Sequence, residues 1–238
     1  MRILLINGSP KCERSHSYMV AKSFVDGMMQ QEDCKLKELT LAKMHLEHCR
    51  GCFVCWKVTP GKCAIRDDMD IIMEEILAAD VVVLSFPLYC FSVSSLVATV
   101  IDRLLPMKEP YNGRAASPEN INIMNFRYDL SQKKLVVVSS CAHATTDYVF
   151  EPVTRQFELF FGEGRFTTIY SPQGEILLLD QMKAILAKYL EGIKRAGVEF
   201  ARDGALCEAT HKAVNSPLIP PRALEKMMTG YWEGFRHE

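Results

Sequence analysis

Five short apolar runs alternate with five amphipathic stretches, and this alternation restricts the fold more than any other feature of the chain. Candidate strands fall at residues 2–7, 35–41, 80–85, 134–139 and 165–170, and candidate helices at 15–30, 68–79, 93–105, 147–161 and 180–201. Residues 3–6, 81–84 and 135–138 carry no charge, as strands buried on both faces of a parallel sheet require. Strands and helices in strict alternation, joined by right-handed crossovers, predict a doubly wound α/β domain with helices on both faces. A five-stranded parallel sheet in the order 2-1-3-4-5 satisfies this pattern. It directs ligands to the carboxyl ends of the strands, where the winding reverses.

Three segments exceed the minimal pattern. Residues 42–66 carry four cysteines, and residues 106–132, rich in Pro, Asn and Gly, read as an irregular insertion. The main domain is expected over residues 1–202, with residues 203–238 as a C-terminal extension. Ser216-Pro217 and Pro220-Pro221 predict that the extension runs irregularly until residues 222–228 turn helical. Met227, Met228, Tyr231, Trp232 and Phe235 make it too apolar for a solvated linker, so it is expected to pack on its own domain or on a partner subunit.

Twenty-eight Lys and Arg against 29 Asp and Glu leave a formal net charge of −1. No field favours nucleic acid or an anionic membrane. The apolar stretches are too short to span a bilayer, and no signal-peptide pattern follows Met1, so a soluble, cytoplasmic protein is expected. Nine cysteines in such a protein argue for metal, cluster or redox use of some of them rather than a disulfide framework.

After the first strand the chain reads Asn7-Gly8-Ser9-Pro10, and a helix starts near Ser15. A strand, a hydroxyl-rich turn and a helix N-terminus make an anion site. Ser9, Ser15, His16 and Ser17 donate hydrogen bonds, and Lys11 and Arg14 add charge. The loop lacks the G-x-x-x-x-G-K-[ST] of nucleotide hydrolases and the G-x-G-x-x-G of dinucleotide folds. It suits a phosphate monoester such as the end of FMN. The alternative is an ordinary strand-to-helix turn in which Ser15 or Ser17 caps the helix.

Two further loops meet the same sheet edge. Phe86-Pro87-Leu88-Tyr89-Cys90-Phe91-Ser92 follows the third strand and offers backbone amides and aromatic rings to a flat ligand. Alternatively it is a rigid turn whose aromatics fill core. Ser139-Ser140-Cys141-Ala142-His143 closes the fourth strand. Between the second strand and the next helix, Cys49, Cys52, Cys55 and Cys63 lie within fifteen residues. Three thiols at two-residue intervals are similar to the ferredoxin run that holds [4Fe–4S] clusters, and zinc fits this spacing less well. The alternative is a set of reduced, loop-packing cysteines. Asp67 and Asp68 read as the N-cap region of the following helix.

The sequences GSPK…SHS, FPLYCFSVSS and Ile101-Asp102-Arg103 resemble the NADPH-dependent FMN reductase and iron–sulfur flavoprotein group of flavodoxin-like proteins. The motifs cover residues 1–105, and the likeness continues more loosely to residue 200. The resemblance implies a flavodoxin-like fold with the FMN phosphate at Ser9, Lys11, Ser15, His16 and Ser17. It places the ring against Pro87, Leu88, Tyr89, Cys90, Phe91 and Ser92, and Ser140 and His143 line the same edge. His143 either reaches the pyrimidine side of the ring or is simply a hydrogen-bonded histidine. In iron–sulfur members a compact motif like Cys49, Cys52, Cys55 and Cys63 holds a [4Fe–4S] cluster, whereas many relatives with similar cysteines are FMN reductases. Members commonly carry Lys where this chain has Leu96-Val97-Ala98-Thr99. The implied activity is transfer of electrons from NADPH or NADH through FMN to a quinone, nitro or azo compound, free flavin or protein acceptor. No acid–base residue is then catalytic. The rival expectation is a non-enzymatic electron carrier with FMN and a cluster. A homodimer or homotetramer is expected in either case.

Overall fold

The computed structural model describes residues 1–31, 33–110, 113, 124–174 and 179–235, the last six by backbone alone. Strands β1 (Arg2–Asn7), β2 (Lys35–Thr40), β3 (Val81–Pro87), β4 (Lys134–Ser140) and β5 (Phe166–Ser171) form one sheet. The order is β2-β1-β3-β4-β5, with every neighbouring pair parallel. Sheet order and doubly wound class match the expectation, and strand ends differ from it by no more than two residues.

Helices α1 (His16–Met28), α2 (Val54–Lys57), α3 (Met69–Ala78), α4 (Ser95–Arg103), α5 (Glu151–Phe161) and α6 (Lys183–Asp203) follow in turn. Alternation along the central strands splits the core into two layers. Leu4, Ile6, Val82, Leu84 and Val137 meet Ile72 and Met73 of α3, Val97 and Val100 of α4, and Val153 and Phe157 of α5. On the other face, Ile3, Leu5, Val81, Val83, Val136 and Val138 meet Val20, Phe24 and Met28 of α1 and Ile193, Ala196 and Phe200 of α6. Helices α1 and α6 touch through glycines. A Cβ on Gly27 would stand 1.9 Å from the Lys194 carbonyl oxygen, and one on Gly197 would stand 1.9 Å from that of Phe24.

The sheet edges are protected differently. Strand β2 carries exposed Lys35, Lys37 and Glu38 on a short strand, which discourages pairing with another chain. The outer edge of β5 is met by Asn215. Its Oδ1 accepts from the Tyr170 amide at 2.6 Å, and its Nδ2 donates to the Thr168 carbonyl at 3.4 Å.

Asn215 follows α7 (Glu208–Val214), a helix that the expected irregular run before residue 222 did not include. The Cys207 sulfur accepts from the Thr210 amide at its start, an N-cap role that Cys seldom fills. Helix α8 (Pro221–Phe235) begins one residue before the expected helix and runs seven beyond it. Pro221 at its first position is compatible with helix, because the first turn has no use for that amide. Leu224, Met227 and Met228 pack against Met182, Leu186 and Ala144 of the same chain. The side chains of Tyr231, Trp232 and Phe235 lie outside the described residues, as do residues 111, 112 and 114–123 of the expected insertion. No helix among the described residues is long and apolar enough to cross a membrane.

Candidate functional site

The β1–α1 loop is held flat against β3. The Gly8 amide donates to the Ser85 carbonyl at 2.7 Å, and the Ser94 hydroxyl donates to the Gly8 carbonyl at 2.6 Å. A Cβ on Gly8 would lie 2.2 Å from Val97 Cγ2, so a larger residue would lift the loop off the sheet. Asn7 Oδ1 accepts from the Ser9 amide at 3.0 Å, and Ser9 Oγ accepts from the Lys11 amide at 3.2 Å. These local bonds turn the chain into the start of α1. The Ser15 and Ser17 hydroxyls lie 2.8 Å apart, and with Ser9 they are buried. Lys11 and Arg14 are exposed beside them.

His16 opens α1 and is buried, with Nε2 3.0 Å from the Ser171 hydroxyl at the end of β5. Burial pulls its pKa down to about 4, so at neutral pH the ring has one N–H donor and one acceptor nitrogen. Its Nδ1 is buried without a partner. Sequence reasoning placed His16 in the loop but missed Ser171. The signal was the Ser-Pro-Gln-Gly turn directly after the fifth strand.

The loop after β3 is tied to β4, since the Leu88 amide donates to the Ser140 carbonyl at 2.8 Å. The Tyr89 and Ser92 backbones then hydrogen-bond each other both ways, at 3.1 and 2.9 Å. Between them Cys90 (φ +50°) and Phe91 (φ +61°) both adopt left-handed backbone, as a type I′ turn requires. Non-glycine residues resist this conformation, and such strain concentrates at functional sites. The turn leaves Tyr89, Cys90, Phe91 and Ser92 exposed, and the Phe91 ring lies 5.6 Å from the exposed His143 ring. The first, third and fourth strand loops thus share one edge, and the end of β5 joins them through Ser171.

Five buried side-chain polar atoms among the described residues lack a hydrogen-bond partner. Four of them, Asn7 Nδ2, Ser85 Oγ, Ser139 Oγ and His16 Nδ1, sit in the last three residues of β1, β3 and β4 or at the start of α1. Buried polar groups are normally satisfied, so this edge is chemically incomplete without a polar ligand or water. An apolar cavity of about 270 Å³ lies elsewhere, between the sheet and α4, lined by Val82, Leu84, Val97 and Val100 among others.

The cysteine loop lies to one side. Cys49 and Cys52 are exposed, while Cys55 and Cys63 are buried. Burial, then the nearby thiols of Cys63, Cys52 and Cys49, push the Cys55 thiol up, so the four share one neighbourhood. Among the described residues, no three His, Cys, Asp or Glu side chains converge as metal ligands. Asp67 does more than expected of an N-cap residue. It accepts from the Met69 amide at 3.2 Å and the Glu47 amide at 2.8 Å, and both its oxygens accept from Arg103. Asp68 instead accepts from the His45 amide at 2.8 Å. The Cys63 sulfur lies beside the Arg103 guanidinium. Trp56 Nε1 donates to the Leu105 and Lys108 carbonyls, both at 3.0 Å, which ties the loop to the end of α4.

Solved structures share this architecture. An FMN-dependent NADH-azoreductase from Bacillus anthracis in complex with FMN aligns with a TM-score of 0.61 and 15% identity, over 84% of this chain and 99% of that one. An NAD(P)H:quinone oxidoreductase from Methanothermobacter marburgensis aligns with a TM-score of 0.59 and 15% identity, over 84% and 96%. At this identity the likeness is one of fold. An iron–sulfur flavoprotein of Methanocaldococcus jannaschii is 31% identical over 108 residues, 45% of this chain and 54% of that protein. An FMN-dependent NADH:quinone oxidoreductase of Methylorubrum populi is 33% identical over 111 residues, 44% of this chain and 55% of that protein. The chain spans about half the length of these curated relatives. A family model described as flavodoxin-like fold matches residues 1–170. Because that match runs from the first strand to Tyr170 in β5 and so takes in all five strands, the chain belongs to the flavodoxin-like fold family.

Proposed function

We propose that this chain is an FMN-dependent oxidoreductase that takes electrons from NADPH or NADH and delivers them to a quinone, a nitro or azo compound, free flavin or a protein acceptor. The observation that carries this reading is that four unpartnered buried polar atoms lie near the carboxyl ends of β1, β3 and β4 and at the start of α1, the edge that also carries the buried hydroxyls of Ser9, Ser15 and Ser17. Each such atom costs about 1–3 kcal/mol when left unsatisfied, so the edge suits a ligand rich in polar atoms. The names of the Bacillus anthracis azoreductase and the Methylorubrum populi oxidoreductase support the choice of FMN.

FMN, when bound, supplies the hydride acceptance and electron transfer that no side chain here provides. The Ser9, Ser15 and Ser17 hydroxyls and the first amides of α1 donate to the phosphate, and Lys11 adds positive charge. Neutral His16 contributes an Nδ1–H while its Nε2 accepts from the Ser171 hydroxyl. Pro87, Leu88, Tyr89, Cys90, Phe91 and Ser92 border the ring, with the strained turn holding the two aromatic rings outward. Ser140 and His143 close the remaining side. Residues 1–202 act as the FMN-binding domain and 203–238 as its extension, in a homodimer or homotetramer.

The test is FMN titration of flavin-stripped protein, followed by steady-state oxidation of NADPH and NADH with a quinone acceptor and light scattering for assembly. Protein that takes up no FMN overturns the reading. Flavin reducible by dithionite but not by either nicotinamide leaves only an electron carrier. A second reading rests on the shared neighbourhood of the four thiols and on the name of the Methanocaldococcus jannaschii relative. In it, Cys49, Cys52, Cys55 and Cys63 hold a [4Fe–4S] cluster, and the protein transfers electrons without a nicotinamide substrate. Absence of iron and sulfide after anaerobic reconstitution removes it.

A further inference from the structure

Gln173, just past the matched segment, has a side-chain amide whose bonds reach both the ligand edge and the C-terminal extension. It is fully buried and takes a left-handed backbone (φ +61°). Its backbone amide donates to the His143 carbonyl at 3.0 Å. Its Nε2 donates to the Ala144 carbonyl at 3.0 Å and the Ile219 carbonyl at 2.9 Å. Its Oε1 accepts from the amides of Leu218 and Ile219 at 3.1 and 3.0 Å. Every hydrogen-bonding site of this amide is used, in a buried position where a lost partner is costly.

The flanking residues reach the opposite side of the same edge. Two positions earlier, Ser171 meets His16 Nε2. One position later, Gly174 donates to the Cys141 carbonyl at 2.8 Å, and a Cβ on it would stand 3.2 Å from the His16 ring. Gln173 therefore joins the extension to the loop bearing His143 from within a turn that also packs on His16. Leu224 of α8 packs near Ala144 from the outside.

We propose that Gln173 is a positioning residue for the flavin edge, through which residues 216–219 set the placement of the His143 loop. The inference rests on the FMN reading above and goes beyond it by giving the extension a part in the site. Replacing Gln by Glu keeps the shape, removes both donated bonds and turns a negative oxygen toward two carbonyls.

The experiment compares wild type, Gln173→Glu and Leu224→Ala, the last loosening α8 while leaving every hydrogen-bonding atom of the Gln173 amide and its partners in place. In flavin-free protein, Gln173→Glu speeds amide hydrogen exchange in residues 142–146 and 216–219 together. With FMN it weakens binding at least about tenfold and alters the visible circular dichroism of the flavin. Leu224→Ala lowers the melting temperature yet leaves the FMN affinity within about twofold and the dichroism unchanged. Faster exchange confined to 216–219, or equal FMN loss in both variants, overturns the proposal. Should Gln173→Glu fail to fold, Gln173→Met keeps the volume without the hydrogen bonds and is read in the same way. If wild type takes up no FMN, the functional reading falls, while coupled exchange of the two segments still decides the role of Gln173.

Discussion

Arg103, the last residue of α4, holds Asp67 through both terminal nitrogens at 2.9 Å, and both side chains are sealed from solvent. Burial pushes the Asp67 carboxyl up, but hydrogen bonds from Arg103 and from the Glu47 and Met69 amides outweigh it and leave the net shift downward. Arg103 also donates to the Glu47 carbonyl at 2.6 Å, so this pair pins both flanks of the cysteine loop to α4. Asp67→Asn strands a buried guanidinium and is expected to cost roughly 3–5 kcal/mol of stability. Urea unfolding measures it, and a loss under about 1 kcal/mol would show that the pair is solvated after all.

His16 makes stability depend on pH in a defined direction. Its folded pKa of about 4 lies below the ordinary 6.5, so between those values the unfolded chain binds a proton that the folded one refuses. The associated stability is complete above pH 6.5 and is lost as the pH falls toward 4. Compared with His16→Gln, flavin-free wild type should lose roughly 3 kcal/mol more between pH 7 and pH 4. Parallel unfolding curves for the two proteins at both pH values would contradict a neutral buried imidazole.

Gly27 and Gly197 should tolerate no methyl group. Alanine ordinarily gains up to about 1 kcal/mol over glycine within a helix. Here the new carbon would strike a backbone carbonyl on the facing helix at 1.9 Å, and backbone cannot rotate away as a side chain can. Gly27→Ala and Gly197→Ala are each expected to destabilise by about 1–3 kcal/mol or more. Thermal melts raised by either change would mean that α1 and α6 are not in close contact.

Under the proposed function, Ser17 serves the phosphate and not the ring. Its buried hydroxyl, paired with Ser15 at 2.8 Å, is assigned to the phosphate. Losing one hydrogen bond to a charged group costs about 1.5–3 kcal/mol. Ser17→Ala should therefore weaken FMN roughly ten- to a hundredfold and leave riboflavin, which has no phosphate, unaffected. Fluorescence titration with both ligands decides it, and equal losses for the two would place Ser17 elsewhere in the site.

Much of the fold and part of the site were legible in the residues alone, because they depend on local periodicity. Uncharged runs such as 3–6 mark buried strands, and the Asn7-Gly8-Ser9-Pro10 turn announces a loop before a helix whether or not the rest of the chain is known. Such patterns are local and thus survive without tertiary context. Helix α7 was missed because seven residues bracketed by Gly204 and Pro217 carry little periodic signal. What holds it is Asn215 against the edge of β5, a contact made across 45 residues.

From sequence alone came the doubly wound sheet, its order, and the loops that meet at its carboxyl edge. Only the tertiary structure decided which buried polar groups are satisfied: the neutrality of His16, the fork between Asp67 and Arg103, and the Gln173 clamp. Desolvation and hydrogen-bond completeness depend on partners 29 to 155 positions away. No spacing within a single loop encodes them.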